Sequence, residues 1–96
     1  LRYPRKREML AYYILATNGK RLEYGEAIKL LGETLCLTPR IARSVIKRLR
    51  NMNYIKLVST GTSIIVEPRE IASVFEEMIE KYSSERCRRL GSYRKQ

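Results

Sequence analysis

A threonine followed by a proline, Thr38-Pro39, constrains this chain more than any other pair of residues in it. A threonine hydroxyl caps the first free N–H groups of a helix, and proline suits the first helical position, where its missing N–H is not needed. A helix is therefore expected over 38–52, ending at Asn51 or Met52. Asn53 follows, and asparagine tolerates the left-handed conformation that stops a helix. The apolar positions Ile41 or Ala42, Val45, Ile46, Leu49 and Met52 form one stripe at helical spacing. Arg40, Arg43, Lys47, Arg48 and Arg50 stand on the same helix with no carboxylate among them. Like charges on one helix repel, so a polyanion outside the chain is the expected compensation.

The flanking segments supply the rest of one small domain of 96 residues. Residues 5–18 read as a helix with Met9 or Leu10, Tyr13, Ile14 and Thr17 on its stripe, stopped by Gly19. Leu22 and Tyr24 allow a short strand. Residues 25–35 read as a second helix with Ala27, Leu30, Leu31 and Leu35 inward and Gly32 as a weak or close-packed point. After Asn53 the period changes. Two β-rich runs, 54–58 and 63–67, flank the turn signal Ser59-Thr60-Gly61-Thr62 and predict a β-hairpin. Pro68 is expected to open a last helix reaching Leu90, with Gly91 as its stop and 92–96 as a polar tail. The expected fold class is α+β, mostly α.

Charge and composition exclude several functions. The net charge is +10, and it is segregated: residues 1–21 carry +5, 38–56 carry +6 and 81–96 carry +5, while 67–80 carry −4. With no histidine, no P-loop and no G-x-S-x-G, no catalytic residues are assigned and no enzyme is expected. Two cysteines cannot build a four-ligand zinc site, so no metal and no cofactor are expected. Cys36, in an apolar turn, reads as a buried thiol and Cys87, in a basic helical stretch, as a solvent-facing one, with an inter-chain disulfide through Cys87 as the sharper alternative. Apolar runs are too short to span a membrane and no secretory segment is seen, which points to the cytoplasm. The residue usage resembles that of thermophiles.

The order helix, short strand, helix, tight turn, basic helix, hairpin, helix resembles the winged helix-turn-helix superfamily over nearly the whole chain. The residues carrying the resemblance are Leu37-Thr38-Pro39-Arg40-Ile41-Ala42-Arg43-Ser44-Val45-Ile46-Lys47-Arg48-Leu49 and Asn53-Tyr54-Ile55. Asn53 departs from the glycine common there. The layout is similar to PadR-like proteins, to archaeal chromatin-type winged-helix dimers, and to centromere-site-binding proteins of archaeal plasmid partition. The opening Arg5-Lys6-Arg7-Glu8-Met9-Leu10-Ala11-Tyr12-Tyr13-Ile14-Leu15 is reminiscent of the last group. The resemblance implies a double-stranded DNA-binding domain over 1–67 and a nucleoid-associated role in transcription regulation, DNA organisation or DNA segregation. Another protein of the same DNA-handling system is a further implied partner. A protein–protein module of a larger complex is the alternative.

The major groove admits one helix with an apolar back and a cationic front. Taking Ala42, Val45, Ile46 and Leu49 as the back leaves Arg40, Ile41, Arg43, Ser44 and Lys47 on the front. Arg40 and Arg43 are assigned to base edges, and Lys47, Arg48 and Arg50 to phosphates. Thr38, Lys56, Thr60 and Thr62 complete the assigned contacts. The last helix, over 68–91, carries Ile71, Val74, Phe75, Met78, Ile79 and Tyr82. Such a stripe exceeds what a small core needs, so a homodimer through Ile71, Phe75, Met78, Ile79 and Tyr82 is expected; the alternative is packing within the chain. Its basic end, with Arg86, Arg88, Arg89, Arg94 and Lys95, reads as a second phosphate contact or as a solubilising tail.

Overall fold

The computed structural model describes residues 4–19 and 21–90. The elements run α1 (Lys6–Thr17), β1 (Leu22–Glu23), α2 (Tyr24–Leu35), α3 (Pro39–Asn51), β2 (Ile55–Ser59), β3 (Ile64–Pro68) and α4 (Ile71–Leu90). The fold is α+β and mostly helical. The three strands form one antiparallel sheet in the order β1-β3-β2. Gly91 and the 92–96 tail, with Arg94 and Lys95, lie outside the described residues.

Local chemistry sets both ends of α3. The Thr38 hydroxyl accepts the Ile41 N–H at 3.2 Å, and Pro39 occupies the first helical position. At the other end Asn53 has φ 69°, the Asn53 N–H reaches the Arg50 carbonyl and the Tyr54 N–H reaches back to the Leu49 carbonyl. That pair of bonds is a Schellman closure with asparagine in the left-handed position. It turns the chain directly into β2.

The hairpin turn is tied by Thr60, whose hydroxyl accepts the Ser63 N–H at 3.3 Å and lies 3.1 Å from the Ser63 carbonyl. Gly61 supplies the positive φ of 94° that the turn requires. Cross-strand pairs Leu57–Val66 and Val58–Ile65 set the register, and β1 adds Leu22 beside Val66. Gly32 is a close-packing point: a Cβ there would lie 3.2 Å from the Leu37 carbonyl oxygen. The turn between α2 and α3 thus packs directly on α2.

Three expectations are corrected. In α1 the buried side chains are Glu8, Ala11, Tyr12 and Leu15, while Leu10 and Tyr13 are exposed. The segment from Met9 to Ala16 is apolar on nearly every side, so periodicity alone does not choose its face. The choice is made by Tyr12, whose hydroxyl donates to the Arg69 carbonyl at 2.7 Å and whose ring stacks at a tilt on Tyr54, centroids 5.6 Å apart. Burial pushes the Tyr12 phenol above its usual range. Second, Pro68 does not open a helix. It ends β3 opposite Ile55, and α4 begins at Ile71.

The third correction concerns α4. Ile71, Val74 and Met78 pack against the core of their own chain, with Val74 fully buried. Ile71 and Met78 are partly buried on that core, as the alternative of packing within the chain has it. Phe75, Ile79 and Tyr82 face outward. Among the described residues no α4 side chain beyond Met78 joins the hydrophobic core. The molecule is correspondingly long, with extents of 54 × 27 × 19 Å and a radius of gyration of 16.0 Å. A compact chain of this length has a radius of about 12.5 Å.

Arg69 anchors the start of α4. Its N–H donates to the Tyr54 carbonyl, and its guanidinium donates to the Asn53 carbonyl and to both Glu77 carboxylate oxygens. Hydrogen bonding to Arg69 holds the Glu77 carboxyl below the usual carboxylate range. A depressed pKa contributes stability that is present above the unfolded value and lost as pH falls through the folded one. Acidification below the ordinary carboxylate range is therefore expected to loosen the α4 anchor. Thermal melts as a function of pH provide the check: the acid limb should be shallower in Glu77→Gln than in the parent, and identical limbs would remove Glu77 from the anchor.

Candidate nucleic-acid interface

The geometry of α3 sorts its cations into two groups. Arg40, Arg43, Lys47 and Arg50 are spaced by three, four and three residues and form one exposed stripe. At 1.5 Å per residue the stripe runs about 15 Å along the helix. Ala42, Val45, Ile46 and Leu49 form the buried opposite face. The stripe borders an open groove of about 490 Å³ that is also lined by Ser44 and Ile46 of α3, by Tyr24 at the start of α2 and by Leu57 of β2. Lys56 is exposed on the neighbouring strand.

None of Arg40, Arg43, Lys47, Arg50 and Lys56 has an ion pair or a side-chain hydrogen bond among the described residues; the salt bridges there involve Arg21, Arg48, Arg69 and Lys81. The four α3 cations thus have no carboxylate partner among the described residues, while Lys56 stands across the ladder from Glu67. Exposed guanidinium groups in a row suit planar acceptors, either phosphate oxygens or the paired acceptors of a guanine edge. The ammonium of Lys47 acts as a point charge.

Arg48 does not belong to this face. It is half-buried, and its Nε pairs with the Glu8 carboxylate of α1. The other Glu8 oxygen accepts the Arg5 N–H at 2.9 Å. Arg48 joins α3 to α1, and its assignment to phosphate is corrected on that ground. Ile41 is likewise half-buried and packs against the core, so the expected front face loses it. Thr38 is exposed, with its hydroxyl oxygen capping α3. Thr60 is held in the hairpin turn by Ser63, and Thr62 is exposed at the tip.

Tyr24 and Leu57 were not singled out by sequence reasoning. Tyr24 brings an aromatic ring with a polar tip to the groove, and the available signal was an aromatic residue immediately before a helix. Leu57 carried none, because an apolar residue in a hairpin reads as core. Among the described residues no three of His, Cys, Asp and Glu gather to hold a metal ion, and no helix is long and apolar enough to cross a membrane. Cys36 and Cys87 are free thiols, but the expected burial of Cys36 is corrected: it is exposed at the left-handed end of α2, and Cys87 is the partly covered one. No protein-family model, curated protein or solved structure matches the chain significantly.

Proposed function

We propose that the chain is a winged-helix binder of double-stranded DNA that lays α3 in the major groove. The observation that carries this reading is the exposed stripe Arg40, Arg43, Lys47 and Arg50, without an ion pair among the described residues, on a helix that buries Ala42, Val45, Ile46 and Leu49 on its other face. A free-standing row of cations on one face of a helix is destabilising in isolation. A duplex offers a closely spaced line of negative charge that offsets this. The hairpin beside α3 presents Thr60, Thr62 and main-chain groups at its tip, near where the backbone flanking the groove would run.

Position along the helix divides the roles. Residues near the N-terminus of a groove-bound helix reach base edges most readily, so Arg40 and Arg43 read bases. Lys47, Arg50 and Lys56 contact phosphates. The test compares binding to a duplex selected from a random-sequence pool with binding to random duplex. Arg43→Ala is expected to weaken the selected duplex by ~1–3 kcal/mol and to relax preference at one base pair. Lys47→Ala is expected to weaken both duplexes alike. Equal losses on both duplexes for both variants would overturn the division, and full binding after both changes together would overturn the interface.

A further inference from the structure

We infer that the groove beside α3 binds a free nucleoside polyphosphate, and that this ligand and duplex DNA exclude one another. The binding stands on the groove itself; the exclusion rests on the DNA-binding reading above. The groove of about 490 Å³ falls within the ~300–1,000 Å³ of small-molecule sites. Its lining has two chemistries. Tyr24 and Leu57 are half-buried and packed on the core, and Ile46 is fully buried, so these three make an apolar floor. Arg40, Arg43, Lys47 and Arg50 are exposed and make a cationic rim, with the Ser44 hydroxyl among them. A duplex meets the heads of these cations through phosphates and base edges. That contact makes no use of an aromatic ring and a leucine set below them.

Each part of the lining selects a part of the ligand. Among the described residues no Asp or Glu lines the groove, so the ligand is an anion. The cations recur at rises of about 4.5, 6 and 4.5 Å along the helix. A lone carboxylate or phosphate reaches one or two of them, whereas a chain of linked phosphates reaches more. Arg40, Arg43 and Arg50 carry planar forks that pair with phosphate oxygens two at a time. The floor suits a flat, largely apolar body, and Tyr24 offers a ring on which a nucleobase stacks, a contact that tolerates any base. Linked phosphates on the rim and one planar base on the floor describe a nucleoside polyphosphate. The bound phosphates occupy the same guanidinium groups that the duplex needs, so the site holds one of the two at a time. A lining without carboxylates also offers no protein ligand to a magnesium ion. Magnesium therefore competes with the rim for the phosphate oxygens.

The experiment uses the full chain, first without DNA and in magnesium-free buffer. Isothermal titration calorimetry compares adenosine triphosphate with inorganic tripolyphosphate, which carries linked phosphates without a base. Adenosine triphosphate is expected to bind about 10-fold or more tightly, through the stacked base. That ratio should fall to about 1 in Tyr24→Ala and be retained in Tyr24→Phe, which keeps the ring. A loss of folded protein lowers both affinities and leaves their ratio, and circular dichroism checks the helices of each variant. Arg43→Ala combined with Lys47→Ala should weaken both ligands by about 10-fold or more. Excess magnesium should weaken the nucleotide complex. In the second stage, at fixed ionic strength, adenosine triphosphate is titrated into the chain bound to fluorescent random duplex, and the anisotropy should fall to that of free DNA. Equal affinity for tripolyphosphate and nucleotide overturns the site and leaves a cationic surface only. A complex strengthened by magnesium overturns the assignment of the phosphates to the rim. Nucleotide held alongside duplex overturns the exclusion. A chain that binds nucleotide but no duplex keeps this site and removes the DNA reading, and one that binds duplex but no nucleotide does the reverse.

Discussion

Binding of a single chain to random duplex DNA is expected to weaken about 500-fold when salt is raised from 50 to 200 mM. On random duplex, where Arg40 and Arg43 meet no matching base edge and turn to the backbone, five cations are available for phosphates without first breaking an ion pair: Arg40, Arg43, Lys47, Arg50 and Lys56. Each phosphate neutralised releases condensed counterion, and the affinity falls with salt at a slope of about −0.9 per contact. Five contacts give a slope of about −4.5 on logarithmic axes. Lys47→Ala and Arg50→Ala should each lower the slope by about 1. Two chains bound as one unit would double the parent slope to about −9. Fluorescence anisotropy at several salt concentrations measures all of these. An affinity that ignores salt, or a slope that Lys47→Ala leaves unchanged, would remove the duplex from the reading.

Features set by neighbouring residues were legible before the structure, and features set by distant ones were not. Thr38-Pro39 and Asn53 bracket α3 because capping and the left-handed stop are chemistry of one or two residues. The hairpin was legible for the same reason, through Gly61 and the β-rich runs beside it. The face of α1 was hidden because its apolar residues surround the helix. Tyr12 is selected by Arg69, which lies 57 residues further on. The two stripes of α4 were read as one, since an offset of a single residue blurs both at helical period. Only packing separates Met78 from Ile79. The strand β1 was visible only as a possibility, because two residues carry no alternation to read. In the candidate interface, Arg40, Arg43 and Lys47 followed from spacing, whereas Ile41 was placed on the same front and Arg50 was grouped with Arg48. The exclusion of Arg48 did not follow from spacing, since its partner Glu8 lies in another helix.

That exclusion leads to the largest expected effect on stability. Arg48→Ala should destabilise the fold by about 2–3 kcal/mol without changing the salt slope of DNA binding. The Glu8 side chain is only 6% exposed, and both of its oxygens are engaged, one by the Arg5 N–H and one by Arg48. Removing the arginine leaves a buried carboxylate with one partner. Breaking a fully buried pair costs about 3–5 kcal/mol. The Arg48 side chain is 41% exposed, so water partly takes its place and the expected loss is smaller. Glu8 stands in the first turn of α1, where the helix N-terminus also favours its charge. Replacing both partners by methionine should recover most of the loss, because an apolar pair of similar volume leaves no charge without a partner. Urea unfolding gives the comparison through its midpoint, provided the slope m is unchanged. An Arg48→Ala chain as stable as the parent but with a salt slope lower by about 1 would return Arg48 to the phosphate-contacting face. In that case the ion pair with Glu8 would contribute nothing to joining α1 and α3.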